Sequence, residues 1–219
     1  MNELTPAQVL EILQEGNRNF LNDVPATPPV DRKTRLKLAA GQRPIAAYVS
    51  CSDSRVPPEL LFGRGLGELF IVRNAGNTLD TTALGSLEFA VSVLHVPLIV
   101  VMGHEACGAV NAALSVVRDN ARFPSHIGKM IEPIIPAVLE ARHNHTHEQG
   151  DDDTLAACAR QNVRRVVREL REEASPLLLE PQKSGRLQVA GAYYHLGSGE
   201  VEFFDHEAPA YARREVRHG

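Results

Sequence analysis

The spacing of apolar positions changes character at Pro44. Before it, "LTPAQVLEILQEGNRNFL" (4–21) places Val9, Leu10, Leu13, Phe20 and Leu21 on a helical stripe. Thr5 suits the cap of that helix and Pro6 its first turn. The proline-rich "NDVPATPPV" interrupts the pattern, and "DRKTRLKLAA" predicts a short basic helix stopping at Gly41. After Pro44 the runs alternate. "PIAAYVS" (44–50), "ELFIVR" (68–73), "VPLIVVMG" (96–103) and "RLQVAGAYYHL" (186–196) read as buried strands. "EVEFF" (200–204), reached through "GSG", reads as the hairpin partner of the last of these. Between the strands, Leu84, Leu87, Val91 and Leu94 keep helical spacing, as do Leu155, Ala159, Val163, Val166, Val167 and Leu170. "ACGAVNAALSVV" (106–117) predicts a third helix, and "RHNHTHEQGDDD" (142–153) a polar loop.

Strand and helix in alternation predict an α/β fold. Its sheet is mainly parallel, about four parallel strands plus an antiparallel edge strand, flanked by helices. The chain divides into an N-terminal helical arm (1–41), an α/β core (42–206) and a C-terminal tail (207–219), all one domain. The arm's stripe must cover either this chain's own sheet or a second subunit.

Composition narrows the function. Of 219 residues, 43% are hydrophobic and 23% charged, with a formal net charge of −4, which gives no reason to expect a nucleic acid partner. No apolar run reaches the length of a membrane helix, and "MNELTPAQVL" lacks the features of a signal peptide. Three cysteines are too few for a disulfide framework and point to a reducing, cytoplasmic setting.

Chemistry gathers at two strand ends, where α/β sheets bind ligands. "CSDSR" (51–55) follows the first strand and "GHEACG" (103–108) ends the third. Cys51, His104 and Cys107 form the donor set zinc favours, and three protein ligands leave a position open for chemistry. Cys107 falls at a helix start, where amides stabilise a thiolate. Gly103 and Gly108 leave room beside the ligands. Asp53 is a possible fourth ligand, yet Arg55 stands two positions on, placed to hold that carboxylate away from a metal.

These two motifs, in this order, resemble the signature pair of the β-class carbonic anhydrases. The likeness runs over residues 8–205 and includes "EGNRNF" (15–20), "GQRP" (41–44), "GELFIVRNAGN" (67–77) and "GSLEFAVSVL" (85–94). The resemblance implies one Zn2+ per subunit on Cys51, His104 and Cys107, and reversible hydration of carbon dioxide to bicarbonate by zinc-bound hydroxide. It implies that Asp53 and Arg55 form the catalytic dyad, with Asp53 closing onto zinc in some relatives. Gln42 and Phe70 match substrate-pocket residues that relatives take from a neighbouring subunit. Phe89, Ala75 and Gly108 complete the expected pocket. The enzyme would then be a homodimer or a dimer of dimers, with the N-terminal arm packed on the partner. Two departures stand out. Tyr48 replaces a tryptophan that, with the arginine matched by Arg73, forms a second bicarbonate site in some relatives; Phe89 stands where relatives often carry tyrosine. Competing readings are a CS2 or COS hydrolase on the same fold, a structural-zinc protein with Asp53 as permanent ligand, and a thiol redox sensor.

The remaining motifs read as ordinary structure. Cys158 is a buried thiol, and His143, His145 and His147 belong to a solvated loop. "GRGLG" (63–67) precedes a strand and so fails as a dinucleotide motif. Arg160, Arg164 and Arg168 form a stripe expected to face solvent.

Overall fold

The structure, a computed structural model, describes residues 4–206 except 25, 27, 29 and 145–150. Its strands are β1 (Ala46–Cys51), β2 (Leu69–Asn74), β3 (Leu98–His104), β4 (Gln188–Tyr194) and β5 (Val201–Phe204). They form one sheet in the order β2-β1-β3-β4-β5. The first four are parallel and β5 pairs antiparallel with β4, as the pattern predicts. Every residue of β1 and β3 is buried, the consequence of helices on both faces.

The helices are α1 (Pro6–Leu21), α2 (Arg32–Leu38), α3 (Pro58–Leu61), α4 (Thr81–Ser92), α5 (Gly108–Asp119), α6 (Ser125–Ile131), α7 (Ile135–Asn144), α8 (Asp151–Arg168) and α9 (Pro176–Lys183). On one face of the sheet Tyr48, Val100, Met102 and Ala192 pack with residues of α1, α5 and α7. On the other, Ala47, Val49, Ile99 and Val101 pack with α4, α8 and α9. Two glycines on neighbouring strands bring α8 close. A methyl added at Gly103 would lie 2.8 Å from the Val163 side chain, and one at Gly191 would lie 3.1 Å from it. The room at Gly103, expected beside a ligand, is therefore taken by α8.

Thr5 and Gln8 cap α1 reciprocally, with Pro6 in the first turn. Part of its stripe covers its own chain: Val9, Leu10 and Leu13 are buried in the core beside Phe62, while Phe20 and Leu21 stay exposed. Gly16 passes so close to the carbonyl of Phe62 that no side chain fits there. Buried Asn17 ties the helix to the β4–β5 hairpin, donating to Gly199 O (3.0 Å) and accepting from Val201 N (2.9 Å). By contrast, α2 buries none of its residues within the chain.

Four helices were not legible in the pattern: α3, α6, α7 and α9. The first is a single turn, and prolines at 133, 136, 176 and 181 break the periodicity around the others. The loop expected over 142–153 is shorter, because Arg142–Asn144 end α7 and Asp151–Asp153 begin α8. His145, His147 and the tail 207–219 lie outside the described residues, while His143 is in the last turn of α7. Cys158 is fully buried, as expected.

The arginine stripe faces solvent at Arg164 and Arg168, as expected, and departs from that reading at half-buried Arg160. Arg160 lies 4.2 Å over the ring of Tyr193 and pairs with Glu202 at 2.6 Å. Arg164 lies 5.1 Å over Phe204, and Arg168 is 3.6 Å from Glu140. Aromatic residues of the adjacent hairpin pack against Arg160 and lie beside the exposed Arg164.

Candidate active site

Cys51 is the last residue of β1 and His104 the last of the adjacent β3. Between them and Cys107 the chain reverses at Ala106, whose φ is +50°. Cys107 then occupies the N-cap of α5 and makes no side-chain capping bond, so its sulfur stays available. All three residues are buried, and their donor atoms lie within 4.8 Å of one another. The two sulfurs are 3.9 Å apart. Among the described residues this is the cluster able to hold a metal ion.

The imidazole supports that use. His104 Nδ1 lies 2.8 Å from Glu105 O. A carbonyl only accepts, so Nδ1 carries the hydrogen and Nε2 a lone pair. Nε2 is buried and, among the described residues, has no hydrogen-bond partner. A buried lone pair flanked by two thiols fits a zinc ion, and the Nδ1 bond is the usual outer support of such a ligand.

The electrostatics favour a thiolate. A hydrogen bond from Cys107 lowers the Cys51 thiol below the ordinary cysteine value, against the cost of burial, with help from the Gly76 amide. Sharing that proton pushes Cys107 up. Gly76 N donates to Cys51 Sγ at 3.5 Å, and buried Asn162 of α8 fixes Gly76 by donating to its carbonyl at 2.8 Å.

Beside the donors, Arg55 grips Asp53. Nε donates to Oδ1 at 2.9 Å and Nη2 to Oδ2 at 2.7 Å, while the backbone amide of Arg55 also donates to Oδ1 at 2.9 Å. The Arg55 hydrogen bond holds the Asp53 carboxyl well below the usual carboxylate range, against partial burial. Arg73 secures the same loop, donating to Cys51 O at 2.9 Å and Asp53 O at 2.6 Å.

The remaining expected site residues divide. Ala75, half-buried, follows β2 directly beside Gly76, and Gly108 is the exposed first residue of α5 next to Cys107. Phe70 lies opposite Ala47, four positions before Cys51 in β1 and so about 13 Å up the strand. Phe89 pairs with it, ring centroids 6.3 Å apart, and is 47% exposed. Gln42 is exposed and precedes β1, at the opposite end of that strand from Cys51. One chain therefore does not bring Gln42, Phe70 or Phe89 to its own Cys51. Sequence reasoning missed Asn162 and Glu105 as supports and gave Arg73 a different part. A buried asparagine on an apolar helix face was the available signal for the first.

The sequence profile described as carbonic anhydrase matches residues 46–201. Over 206 residues the chain is 37% identical to carbonic anhydrase 2 of Mycobacterium tuberculosis, covering 94% of this chain and 96% of that one. It is 36% identical over 207 residues to the carbonic anhydrase of Mycolicibacterium smegmatis, covering 94% and 97%. Among solved structures, a tetrameric β-carbonic anhydrase of Sordaria macrospora superposes with a TM-score of 0.72 at 27% identity, covering 78% of this chain and 85% of that one. The Coccomyxa β-carbonic anhydrase, solved with acetazolamide, gives 0.66 at 27% identity, covering 95% and 96%. With Cys51 and His104 at strand ends, Cys107 at the start of α5 and both motifs in order, the chain belongs to the β class of the carbonic anhydrase family.

Proposed function

We propose that this protein is a zinc enzyme that reversibly hydrates carbon dioxide to bicarbonate and a proton. The observation that carries the reading is the buried, unpartnered Nε2 of His104 between two thiols, next to a carboxylate that arginine keeps ionised. Cys51, His104 and Cys107 would hold the ion. Zinc supplies Lewis acidity that brings the ionisation of water from 15.7 down to about 7.

The chain's own residues do the rest. Asp53 is a poor proton acceptor near neutrality because Arg55 holds its carboxyl so low. Its part is to accept a hydrogen bond from the attacking oxygen and point a lone pair at the substrate carbon. Arg55 occupies both carboxylate oxygens, which supports Asp53 staying off the metal and weighs against a structural-zinc protein. Ala75 and Gly108 border the donors with little side-chain bulk. Gln42, Phe70 and Phe89 would reach a metal centre from a neighbouring subunit. Exposed Phe89 (47%), Val93 (56%) and Leu60 (68%) supply apolar area for that association, as a homodimer or dimer of dimers. Two ligand thiols 3.9 Å apart need a reducing compartment such as the cytoplasm. No helix among the described residues is long and apolar enough to cross a membrane.

The test is zinc content per chain, followed by stopped-flow CO2 hydration at pH 7 and 8.5, with CS2 and COS as alternative substrates. One zinc per chain with fast hydration at both pH values is expected. Activity only at the higher pH would point to Asp53 closing onto the metal, and metal-free active protein would overturn the proposal.

A further inference from the structure

Glu105 lies between the expected ligands His104 and Cys107, outside the motif positions to which a role was given. Among the described residues it makes four hydrogen bonds. One carboxylate oxygen accepts from the amides of Leu196 (2.9 Å) and Gly197 (3.3 Å), in the connection between β4 and β5. Its own amide donates to Tyr194 O at 2.9 Å. Its carbonyl accepts from His104 Nδ1 at 2.8 Å. That connection is itself fixed, because Asn17 of α1 bonds Gly199 O and Val201 N.

We infer that Glu105 is a positioning residue for the metal centre: its side chain ties the His104–Cys107 turn to the β4–β5 hairpin, so that its carbonyl holds the His104 ring with Nε2 toward the donor cluster. The physical reason is leverage. Ala106 sits in a left-handed conformation that persists only where its surroundings enforce it, and Glu105 carries the side chain of the turn long enough to do so. Losing the tether frees the peptide that accepts from Nδ1, and the imidazole loses its fixed tautomer and orientation. Because the Glu105 side chain is exposed, its removal leaves the core intact.

This inference rests on the zinc reading, and the experiment separates the two. Zinc affinity of the full chain is measured by competition with a chromophoric chelator, and ligand geometry by the visible absorption of the cobalt-substituted protein. Glu105→Ala is expected to weaken zinc roughly 10- to 100-fold and to shift the cobalt bands. Glu105→Asp, which keeps the charge but withdraws the oxygen by one methylene, should behave like Ala. Glu105→Gln, whose amide oxygen can still accept from both N–H groups, should retain most of the affinity and the cobalt spectrum. Unchanged affinity and spectrum in Glu105→Ala overturn the tether, as does a Gln variant that falls as far as Ala, since charge rather than tethering would then be operative. Wild-type protein that takes up no zinc overturns the zinc reading as well.

Discussion

Asp53 presents both carboxylate oxygens to Arg55 and accepts from its backbone amide, so its folded pKa is depressed. The sign follows. The stabilisation from this pair is in force above the ordinary carboxylate value of about 4 and is lost as pH falls through the lower folded value. Between pH 6 and 9 Asp53 does not titrate, so any inflection of kcat/KM in that range belongs to another group. Asp53→Asn should keep the inflection while lowering the rate about 10²-fold, with zinc still bound at full content; an inflection that vanishes in this variant would assign it to Asp53 instead. Tyr48 offers a second residue-level test. Its hydroxyl is buried without a hydrogen-bond partner among the described residues, its ring 5.4 Å from that of Phe62, and burial pushes its pKa up. Tyr48→Phe should leave activity unchanged and hold or raise stability by up to about 1 kcal/mol in urea unfolding. Loss of stability would reveal a partner for that oxygen.

Helix α1 shows what pattern can and cannot convey about an element. Its cap and stripe were plain in Thr5, Pro6, Val9, Leu10 and Leu13, but which surface they cover was not, because periodicity names a face without naming its partner. The contact settles on Phe62 and the hairpin through Gly16 and Asn17, neither of which contributes to an apolar pattern. Gly16→Ala should therefore cost about 1–3 kcal/mol by overpacking, read as a lower denaturant midpoint. A neutral outcome would mean that α1 can move off Phe62 at no cost. The site divides in the same way. Cys51, Asp53, Arg55, His104 and Cys107 were legible because their chemistry is unusual at a strand end. Glu105 and Asn162 act by where their hydrogen bonds land, on the hairpin and on Gly76, which only the folded chain reveals. The short helices α6, α7 and α9 escaped for a plainer reason: prolines disturb the spacing on which such reading depends.

On the scale of the whole molecule, residues Gln42, Phe70 and Phe89 lie away from the metal donors of their own chain, so the proposed pocket needs a second copy. Mixing Asp53→Ala chains with Gln42→Ala chains tests this directly. If sites are shared, half of the sites in each hybrid dimer are intact, and random exchange should restore about a quarter of wild-type turnover. No recovery on verified exchange would confine each site to one chain. The two glycines beneath Val163 carry a final implication. They set how near α8 can settle, and α8 carries Asn162, which fixes the peptide whose N–H meets Cys51. A bulkier residue at 191, remote from every reacting atom, would therefore register twice: as weakened folding in a melting experiment, and as faster loss of the ion to a chelator. Sheet-to-helix clearance would then tune how firmly the proposed ion is held.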